Sequence, residues 1–429
     1  MNIRAARFDA AAFAPSPAAI ATLARYGLSA GGPMAVSGAH FIASLIFLRA
    51  LQPAEFGLFS FLLIVVPFSL SIAGSLLGPS LMATLRRAAR IGEATLATHF
   101  KANLVIAAFA ALAAAALMAA SGASARVALL LGLYGGAMTL RAFGRSFSYA
   151  SKVPLRSLFS DAAYSAALIL GLSLLLATNN LTLERAAMVL PAAAVLGLCA
   201  FGPSYLAGQF MPGRAGTLAA YRASWAEFGR WAVFGVILTE LTANAHAYLV
   251  TFISGPKAFA VLALGSLLMR PASLVLSALP DIERPRMAAR IGQNNTQGAF
   301  RTVKEFRTAA VAIWIATILL AGALLMWFPH VVLRKSYDET QALCVLGFWI
   351  AILGIRTLRT PEAVFLQAAG EFRALARVSM WSSVTSLAVT LALLLVAGPI
   401  VSLTGLVAGD LVMTARIFSL TRDWKRAHA

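Results

Sequence analysis

The stretch GLFSFLLIVVPFSLSIAGSLLGPSLMATLRRAAR, residues 57–90, decides what kind of fold this chain adopts. Its first part, 57–84, contains no charged residue, and about 20 apolar residues are enough for a helix to cross the hydrocarbon core of a membrane. Three arginines, Arg86, Arg87 and Arg90, follow directly. Basic clusters beside an apolar segment are typical of the cytoplasmic end of a span. The stretch therefore predicts a transmembrane helix of defined orientation.

The same alternation of apolar runs and basic gaps continues along the chain. Of the 429 residues, 60% are hydrophobic and 12% are charged, which indicates an integral membrane protein and excludes a soluble enzyme. Most of the 35 Lys and Arg residues lie at the N-terminus and at every second gap, so both termini should be cytoplasmic in a bacterial inner membrane. The predicted twelve spans are about 28–48, 57–84, 102–120, 127–149, 157–177, 186–206, 230–252, 257–280, 308–328, 343–365, 376–397 and 400–420.

Short sequence matches relate the two halves of the chain and predict an all-α protein built from two pseudo-symmetric six-helix bundles. The matches keep one order: AARIG at 88–92 and at 288–292, Pro53 and Phe56 with Pro256 and Phe259, and Leu140, Arg141, Phe147 and Ala150 with Leu358, Arg359, Phe365 and Ala368. The predicted segments are a cytoplasmic N-terminal segment 1–27, a bundle 28–206, a cytoplasmic linker 207–229, a bundle 230–420 and a cytoplasmic tail 421–429.

Two such bundles enclose a cleft that rocking opens to alternate sides, and this favours a transporter over a membrane scaffold. The candidate cations form two pairs at equivalent places: Arg141 with Arg145 in the fourth span, and Arg356 with Arg359 in the tenth. Each pair shares a helix face, and guanidinium matches phosphate oxygens, so the pairs could converge on the cleft as an anion-binding surface. The alternative, that these side chains extend to the inner headgroups, stays open.

Arg270 is the strongest single candidate for binding substrate. It lies near the middle of the eighth span, too deep to extend easily to either surface, and Pro271 after it should bend the helix. Glu240 lies at nearly equal depth in the seventh span, and Asn244 and Tyr248 extend its helix face. Two interpretations stay open: a structural ion pair of Glu240 with Arg270, or a substrate-binding cation whose carboxylate partner is protonated or released during transport.

Other ionisable groups in the spans are weaker candidates. His40 and His246 could relay protons, but hydrogen-bonded packing is the more common role of a lone histidine. Asp161 lies near Arg156, which could neutralise it. Asp410 is predicted to be an unpaired acid in the last span.

Glu240 and Asp410 are predicted coupling-ion sites, because a proton or sodium ion could neutralise an acid at mid-span during one half of a transport cycle. We expect no metal, no cofactor and no catalytic residue, since no phosphate-binding loop, nucleophile motif or metal-ligand spacing occurs. The basic residues sit beside span ends, where anionic lipids attract them, so nucleic acid is not an expected partner. Cys199 and Cys344 should be small buried hydrophobic residues.

The segment FLRALQPAEFGLFSF, residues 47–61, resembles the first outer loop of the polysaccharide transport branch of the multidrug, oligosaccharidyl-lipid and polysaccharide exporter superfamily. Five residues match the pattern of that branch and Gln52 replaces its usual glycine; the matching residues are Arg49, Pro53, Glu55, Phe56 and Gly57. The segment SWAEFG at 224–229 is also similar to the start of the seventh span in that branch.

The resemblance implies a flippase that moves an undecaprenyl-pyrophosphate-linked oligosaccharide from the cytoplasmic to the periplasmic leaflet for surface polysaccharide synthesis. The expected partners are this anionic lipid-linked oligosaccharide, membrane lipids and, as a further candidate, the polysaccharide polymerase machinery, and we expect the chain to function as a monomer. Arg141, Arg270 and Arg359 are the cations expected to meet the diphosphate. The alternatives are a drug exporter coupled to protons or sodium, or a scaffold of a polysaccharide synthase.

Overall fold

A computed structural model describes residues 17–87, 92–211, 216–327 and 337–428. Residues 1–16, Arg90 and most of the first AARIG match lie outside these ranges. Within them the regular structure is helical, and its longer elements are α1 (Pro17–Ala50), α2 (Pro53–Arg87), α3 (Glu93–Ala120), α4 (Ala125–Ala150), α5 (Pro154–Ala177), α6 (Leu183–Cys199), α7 (Pro203–Phe210), α8 (Arg230–Ser254), α9 (Pro256–Leu268), α10 (Arg270–Gly292), α11 (Thr296–Trp327), α12 (Glu339–Ala368), α13 (Phe372–Ala397) and α14 (Leu403–Ala427).

Among the described residues, 9 helices are long and apolar enough to cross a membrane, and three bent helix pairs raise the number to as many as 12. This agrees with the predicted number of spans. The sixth span ends earlier than predicted, at Cys199, because Gly202 has a φ of +92° and Pro203 starts α7 at an angle of 111° to α6. We call the end of the molecule where α2 ends and α3 begins the basic end, and the other the opposite end.

Small residues allow neighbouring helices to pack closely. A Cβ at Gly132 of α4 would lie 2.6 Å from the carbonyl oxygen of Ala111 in α3, and one at Gly409 of α14 would lie 2.9 Å from the carbonyl oxygen of Ser382 in α13. In hydrocarbon the lipid tails solvate apolar side chains, so helices associate through this kind of close packing instead of through the hydrophobic effect. The glycines therefore position the helix pairs within each half of the chain.

The prediction that both cysteines are buried is wrong. Cys199 in α6 and Cys344 in α12 are both exposed and both are free thiols. A lipid-facing surface accepts apolar side chains as readily as an interior does, so hydrophobic character alone does not place a residue inside a membrane protein.

The residues of the 47–61 motif have clear structural roles at the start of α2. Pro53 is the first helical residue, where its missing N–H is not needed. The Glu55 carboxylate accepts a hydrogen bond of 2.9 Å from the backbone N–H of Gln52, which caps the helix N-terminus. Phe56 is buried, with 1% of its surface exposed. The motif therefore starts the helix and inserts an aromatic ring between the two halves.

Helix α2 packs on α8 and α9 and thereby joins the two halves at the opposite end. A Cβ at Gly57 would clash with the backbone of Pro256, so only glycine permits this approach. One turn further, the Phe61 ring makes edge contacts with Tyr248 and Phe252 at centroid distances of 5.2 and 5.7 Å. The cleft between the halves is thus closed at the opposite end.

The connection between the halves is attached to the first half by polar contacts. Gln209 at the end of α7 accepts a hydrogen bond of 2.8 Å from the Asn103 side chain in α3. The Tyr221 hydroxyl donates a hydrogen bond of 2.7 Å to the carbonyl oxygen of Leu76 in α2, and burial raises the pKa of Tyr221 to about 12, so it remains a donor. The domain limits given above remain predictions.

Candidate functional site

A cavity of about 300 Å³ lies between the two halves, next to the closed end of the cleft. Helices α1 and α2 form one wall, and α8, α9, α10 and α12 form the other. No Asp or Glu occurs among the described residues that line it, whereas its polar lining consists of Ser44, Ser60, Asn244, His246, Ser266, Arg270, Ser273, Trp349 and Arg356. Its charged side chains are therefore cationic.

Arg270 occupies the bend between α9 and α10, where the two helix axes differ by 60°. The bend has a local cause, because Pro271 cannot donate a backbone hydrogen bond to the preceding turn. The side chain is partly buried and lines the cavity. Among the described residues its guanidinium makes neither an ion pair nor a hydrogen bond, so its donors are free to meet a ligand.

Arg356 and Arg359 of α12 meet at one carboxylate. The Arg356 Nε donates to Asp410 Oδ2 over 2.8 Å, and an Arg359 terminal nitrogen donates to Oδ1 over 2.7 Å. The Arg359 side chain is 13% exposed, while Arg356 is 33% exposed and lines the cavity. The prediction that Asp410 is unpaired is wrong, because α14 packs on α12 and brings the acid between the two arginines.

Arg141 and Arg145 of α4 form a similar cluster around Asp161 of α5. Arg141 is only 2% exposed; it pairs with Asp161 Oδ1, donates to Ser160 over 3.1 Å and stacks over the Tyr164 ring at 4.3 Å. Arg145 is 29% exposed and lies 3.6 Å from Asp161 Oδ2. We refer to this set as the α4 cluster and to Arg356, Arg359 and Asp410 as the α12 cluster.

Two predictions about these residues are wrong. Arg141 does not reach the cleft, because it points into its own half of the protein toward Asp161. Asp161 is neutralised by Arg141 and Arg145, not by Arg156, which is exposed. Residues five apart on a helix point in directions about 140° apart, whereas Arg141 and Asp161 meet across two neighbouring antiparallel helices.

The two histidines differ in their contacts. His40 is buried and lies within hydrogen-bonding distance of the hydroxyls of Tyr164, at 2.6 Å, and Tyr134, at 3.1 Å, which agrees with its interpretation as a packing residue. His246 stacks edge-on against Trp349 at 5.9 Å, and its buried Nδ1 has no hydrogen-bond partner among the described residues. His246 therefore contributes to the wall of the cavity, while its Nδ1 is buried.

Glu240 makes its polar contacts within α8. Its carboxylate accepts hydrogen bonds from Asn244, at 3.1 Å, and from Tyr248, at 3.2 Å. Both Glu240 and Arg270 are described, and no ion pair joins them, so the interpretation as a structural pair is wrong. The bend of 61° between Glu240 and Ala243 places the acid on a separate segment of the span.

Sequence reasoning missed the hydroxyl groups that flank Arg270. Ser266, Arg270 and Ser273 follow one another at intervals of four and three residues, so they share one face toward the cavity. This spacing is visible in the sequence and could have revealed them. Ser44 and Ser60 could not be found in this way, because α1 and α2 are brought to the cavity only by the packing of the two halves.

The site can bind an anion through charge and hydrogen bonds. Arg270 presents a whole guanidinium, and Arg356 presents the terminal nitrogens that Asp410 does not bind. The serine hydroxyls and Asn244 can hydrogen-bond neutral polar groups. Among the described residues, no group of three or more His, Cys, Asp or Glu side chains could hold a metal ion.

No family model and no curated relative matches the sequence, but solved structures do. An inward-facing multidrug resistance MATE family transporter of the MOP superfamily matches with 14% identity over 91% of this chain and 95% of its own, at a TM-score of 0.68. Lipid II flippase MurJ in an inward closed conformation matches with 11% identity over 92% and 87%, at 0.69. An outward-facing MATE transporter gives 0.54 with 13% identity over 92% and 94%.

The chain therefore shares its fold with these MATE transporters and with lipid II flippase MurJ, and its described helices are long and apolar enough for a multi-pass membrane protein. The fold expected from the sequence, about twelve helices in two related bundles, is confirmed.

Proposed function

We propose that this protein is a flippase that exports an undecaprenyl-pyrophosphate-linked oligosaccharide across the bacterial inner membrane for surface polysaccharide synthesis. The observation that carries the proposal is the cavity between the two halves, in which Arg270 makes no ion pair among the described residues and no acid lines the wall. A diphosphate is the substrate group that such a cavity suits best, because guanidinium binds phosphate oxygens through paired hydrogen bonds.

A drug exporter of the same fold is the alternative, and the structural similarity to a multidrug resistance MATE transporter supports it. The charge of the cavity favours the flippase. An exporter of cationic drugs should line its cavity with acids, whereas Arg270 and Arg356 line this one. The resemblance of residues 47–61 to the polysaccharide transport branch favours the same conclusion, and the MurJ neighbour is itself a lipid flippase.

We assign distinct roles to the candidate residues. Arg270 and Arg356 bind the diphosphate, and Asn244 contacts the first sugar. Arg359 acts through Asp410, which orients Arg356. Arg141 acts only as a buried partner of Asp161.

Two further residues belong to the transport cycle. We propose Glu240 as the coupling acid in preference to Asp410, since two guanidinium groups already occupy the oxygens of Asp410. Tyr248 links the coupling acid to the closure of the cleft. Its hydroxyl donates a hydrogen bond to Glu240, and its ring packs on Phe61 at the closed end.

We infer the orientation of the protein in the membrane from the distribution of basic residues. We propose that both termini are cytoplasmic, which makes the basic end the cytoplasmic side and the closed end the periplasmic side. The cycle then starts from an inward-facing state, in line with the higher TM-scores of the inward neighbours. We further propose that the protein works as a monomer among membrane lipids and delivers its substrate to the polymerase machinery.

Depletion of the protein in its own host tests this function. Lipid extracts should then accumulate a diphosphate-linked oligosaccharide, identified by mass spectrometry, while surface polysaccharide falls. Re-expression of the parent should remove the accumulated lipid, and re-expression of Arg270→Ala should not. An unchanged pool of lipid-linked sugars, together with increased sensitivity to cationic drugs, would refute the flippase and favour the drug exporter.

A further inference from the structure

A second cavity, of about 370 Å³, lies between α2 and α4 and shares no lining residue with the cavity at Arg270. Arg145 is the charged residue among those that line it. On the facing wall, an added Cβ at Gly74 or Gly78 of α2 would meet no atom within 4 Å, so this side is open. We call it the α4 cavity.

Arg145 carries the positive charge that the α4 cluster leaves uncompensated. One carboxylate faces two guanidinium groups, and Arg141 holds it more firmly, through direct contact and almost complete burial. Arg145 lies 3.6 Å from Asp161 and donates no hydrogen bond among the described residues. Its donors are therefore available to a ligand in the α4 cavity, and Asp161 keeps Arg141 as a partner if Arg145 turns away.

The two cavities lie along one face of α2. Ser60 and Leu63 line the cavity at Arg270, and Leu70, Gly74 and Leu77 line the α4 cavity. These positions are separated by three, four or seven residues, which keeps them on the same side of the helix. Ser60 and Gly74 are about 21 Å apart along the helix axis at the usual rise per residue. Helix α2 thus lines both cavities with the same side.

The α4 cavity is the one nearer the basic end. Arg145 lies about 8 Å from the end of α4 at Ala150, whereas Arg356 lies about 18 Å from the end of α12 at Ala368, by the helical rise. A ligand that enters from the basic end therefore meets Arg145 first and Arg356 later.

We infer that Arg145 and the α4 cavity form a separate entry site for a lipid-linked diphosphate, from which the substrate moves along α2 to Arg270 and Arg356. The inference rests on the proposed function and adds a second binding site to it. Diphosphate is the recognised group, and its source could be a lipid headgroup or free pyrophosphate. The rest of the cavity wall is apolar and includes Leu70, Leu77 and Phe143, which favours the lipid over the free anion.

Two fluorescent reporters can separate the sites in the purified full-length protein. With Cys199 and Cys344 replaced by Ala, Gly74→Cys places a label in the α4 cavity and Ser273→Cys places one in the cavity at Arg270. Farnesyl diphosphate and inorganic pyrophosphate serve as probes, with farnesol as the uncharged control.

Loss of a charged hydrogen-bond donor should weaken binding about tenfold or more. At the Gly74 reporter, Arg145→Gln should therefore raise the apparent Kd of farnesyl diphosphate by about tenfold, with no change on Arg270→Gln. At the Ser273 reporter, Arg270→Gln should raise the apparent Kd of farnesyl diphosphate by about tenfold, and Arg145→Gln should leave it unchanged. Farnesyl diphosphate should bind the Gly74 reporter more tightly than pyrophosphate, and farnesol should not compete.

Controls keep a folding defect apart from a binding defect. Arg156→Gln removes an exposed arginine near the same end of the protein, outside the α4 cavity, and should change neither reporter. Arg145→Lys keeps the charge and should restore part of the affinity. Variants are compared only where their size-exclusion profiles match the parent.

Three results would overturn the entry site. One is a Gly74 reporter that does not respond to farnesyl diphosphate while the Ser273 reporter does, which leaves the proposed function intact. Another is equal sensitivity of both reporters to Arg270→Gln, which indicates a single site. The third is pyrophosphate binding as tight as that of farnesyl diphosphate, which assigns the site to a free anion. If neither reporter responds to farnesyl diphosphate or to pyrophosphate, the entry site and the proposed function are refuted together.

Discussion

The α4 cluster and the α12 cluster have the same composition, two arginines around one aspartate, but different surroundings. In the α4 cluster the inner arginine, Arg141, is 2% exposed and continues into a buried network with Tyr164. In the α12 cluster the inner arginine, Arg359, is 13% exposed, and its partner Arg356 faces the cavity that contains Arg270. Arg141 and Asp161 are thus enclosed by protein, whereas Arg356 of the α12 cluster is part of the surface of the cavity at Arg270.

This difference shows how a repeated sequence can acquire two roles. Arg141 and Arg359 occupy matching positions in the two halves, yet their carboxylates come from non-equivalent helices, α5 for Asp161 and α14 for Asp410. A charge buried in protein must be paired, and each half meets that need with the acid that its own packing supplies. Both halves must pair a buried arginine, but the aspartate that pairs with it comes from a non-equivalent helix in each half.

The largest expected effect comes from removing the two acids in turn. Asp161→Asn leaves Arg141 buried without its carboxylate, and breaking a buried pair costs about 3 to 5 kcal/mol. Asp410→Asn should cost less, because Arg356 is partly exposed and can reach water in the cavity. The apparent melting temperature in detergent and the abundance in membranes measure both effects. Equal losses for the two variants would remove the distinction between the clusters.

A rescue experiment should separate stability from transport. Replacing a whole buried ion pair by apolar residues is often neutral or stabilising. Arg141→Met with Asp161→Leu should therefore regain most of the stability and of the export activity, since neither group binds substrate in our account. Arg359→Met with Asp410→Leu should regain stability but not export, because Arg356 loses its orienting acid. Full export by the second double variant would contradict the role of Asp410.

Features that depend on local sequence properties could be predicted, whereas features that depend on helix packing could not. The spans, their number and the depth of Arg270 follow from hydrophobic length and charge, and these are local properties. The bend at Arg270 follows from Pro271. The partners of Asp161 and Asp410 do not follow from local sequence properties, because they depend on which helices are neighbours. For the same reason the exposure of Cys199 and the burial of Arg141 were predicted wrongly: the sequence marks a residue as being within the membrane but not which way it faces.

Substitution of Arg270 should affect transport without affecting the fold. Arg270→Ala removes a side chain that makes no ion pair among the described residues, so abundance should stay normal while surface polysaccharide is lost. Arg270→Lys should recover little, because an ammonium group lacks the planar fork of donors. Immunoblots of membranes and gels of extracted polysaccharide give the two readouts. A strong fall in abundance would show that Arg270 is a structural residue.

Glu240 should have the smallest effect on stability and a specific effect on energy coupling. Glu240→Gln keeps the size of the side chain and one oxygen that can accept a hydrogen bond from Asn244 or Tyr248, so the fold should tolerate it. Export in vesicles should then lose its dependence on a proton or sodium gradient. A parent protein that transports equally well with and without either gradient would refute the coupling role.

The most direct test of the central claim is transport by purified protein in lipid vesicles. The substrate is a fluorescent, short polyprenyl diphosphate that carries one sugar, and a matched lipid with a neutral linkage is the control. We expect the parent to move the diphosphate lipid between leaflets and to leave the neutral lipid in place, and we expect Arg270→Ala to move neither. Equal movement of the charged and neutral lipids, or full activity of Arg270→Ala, would contradict it.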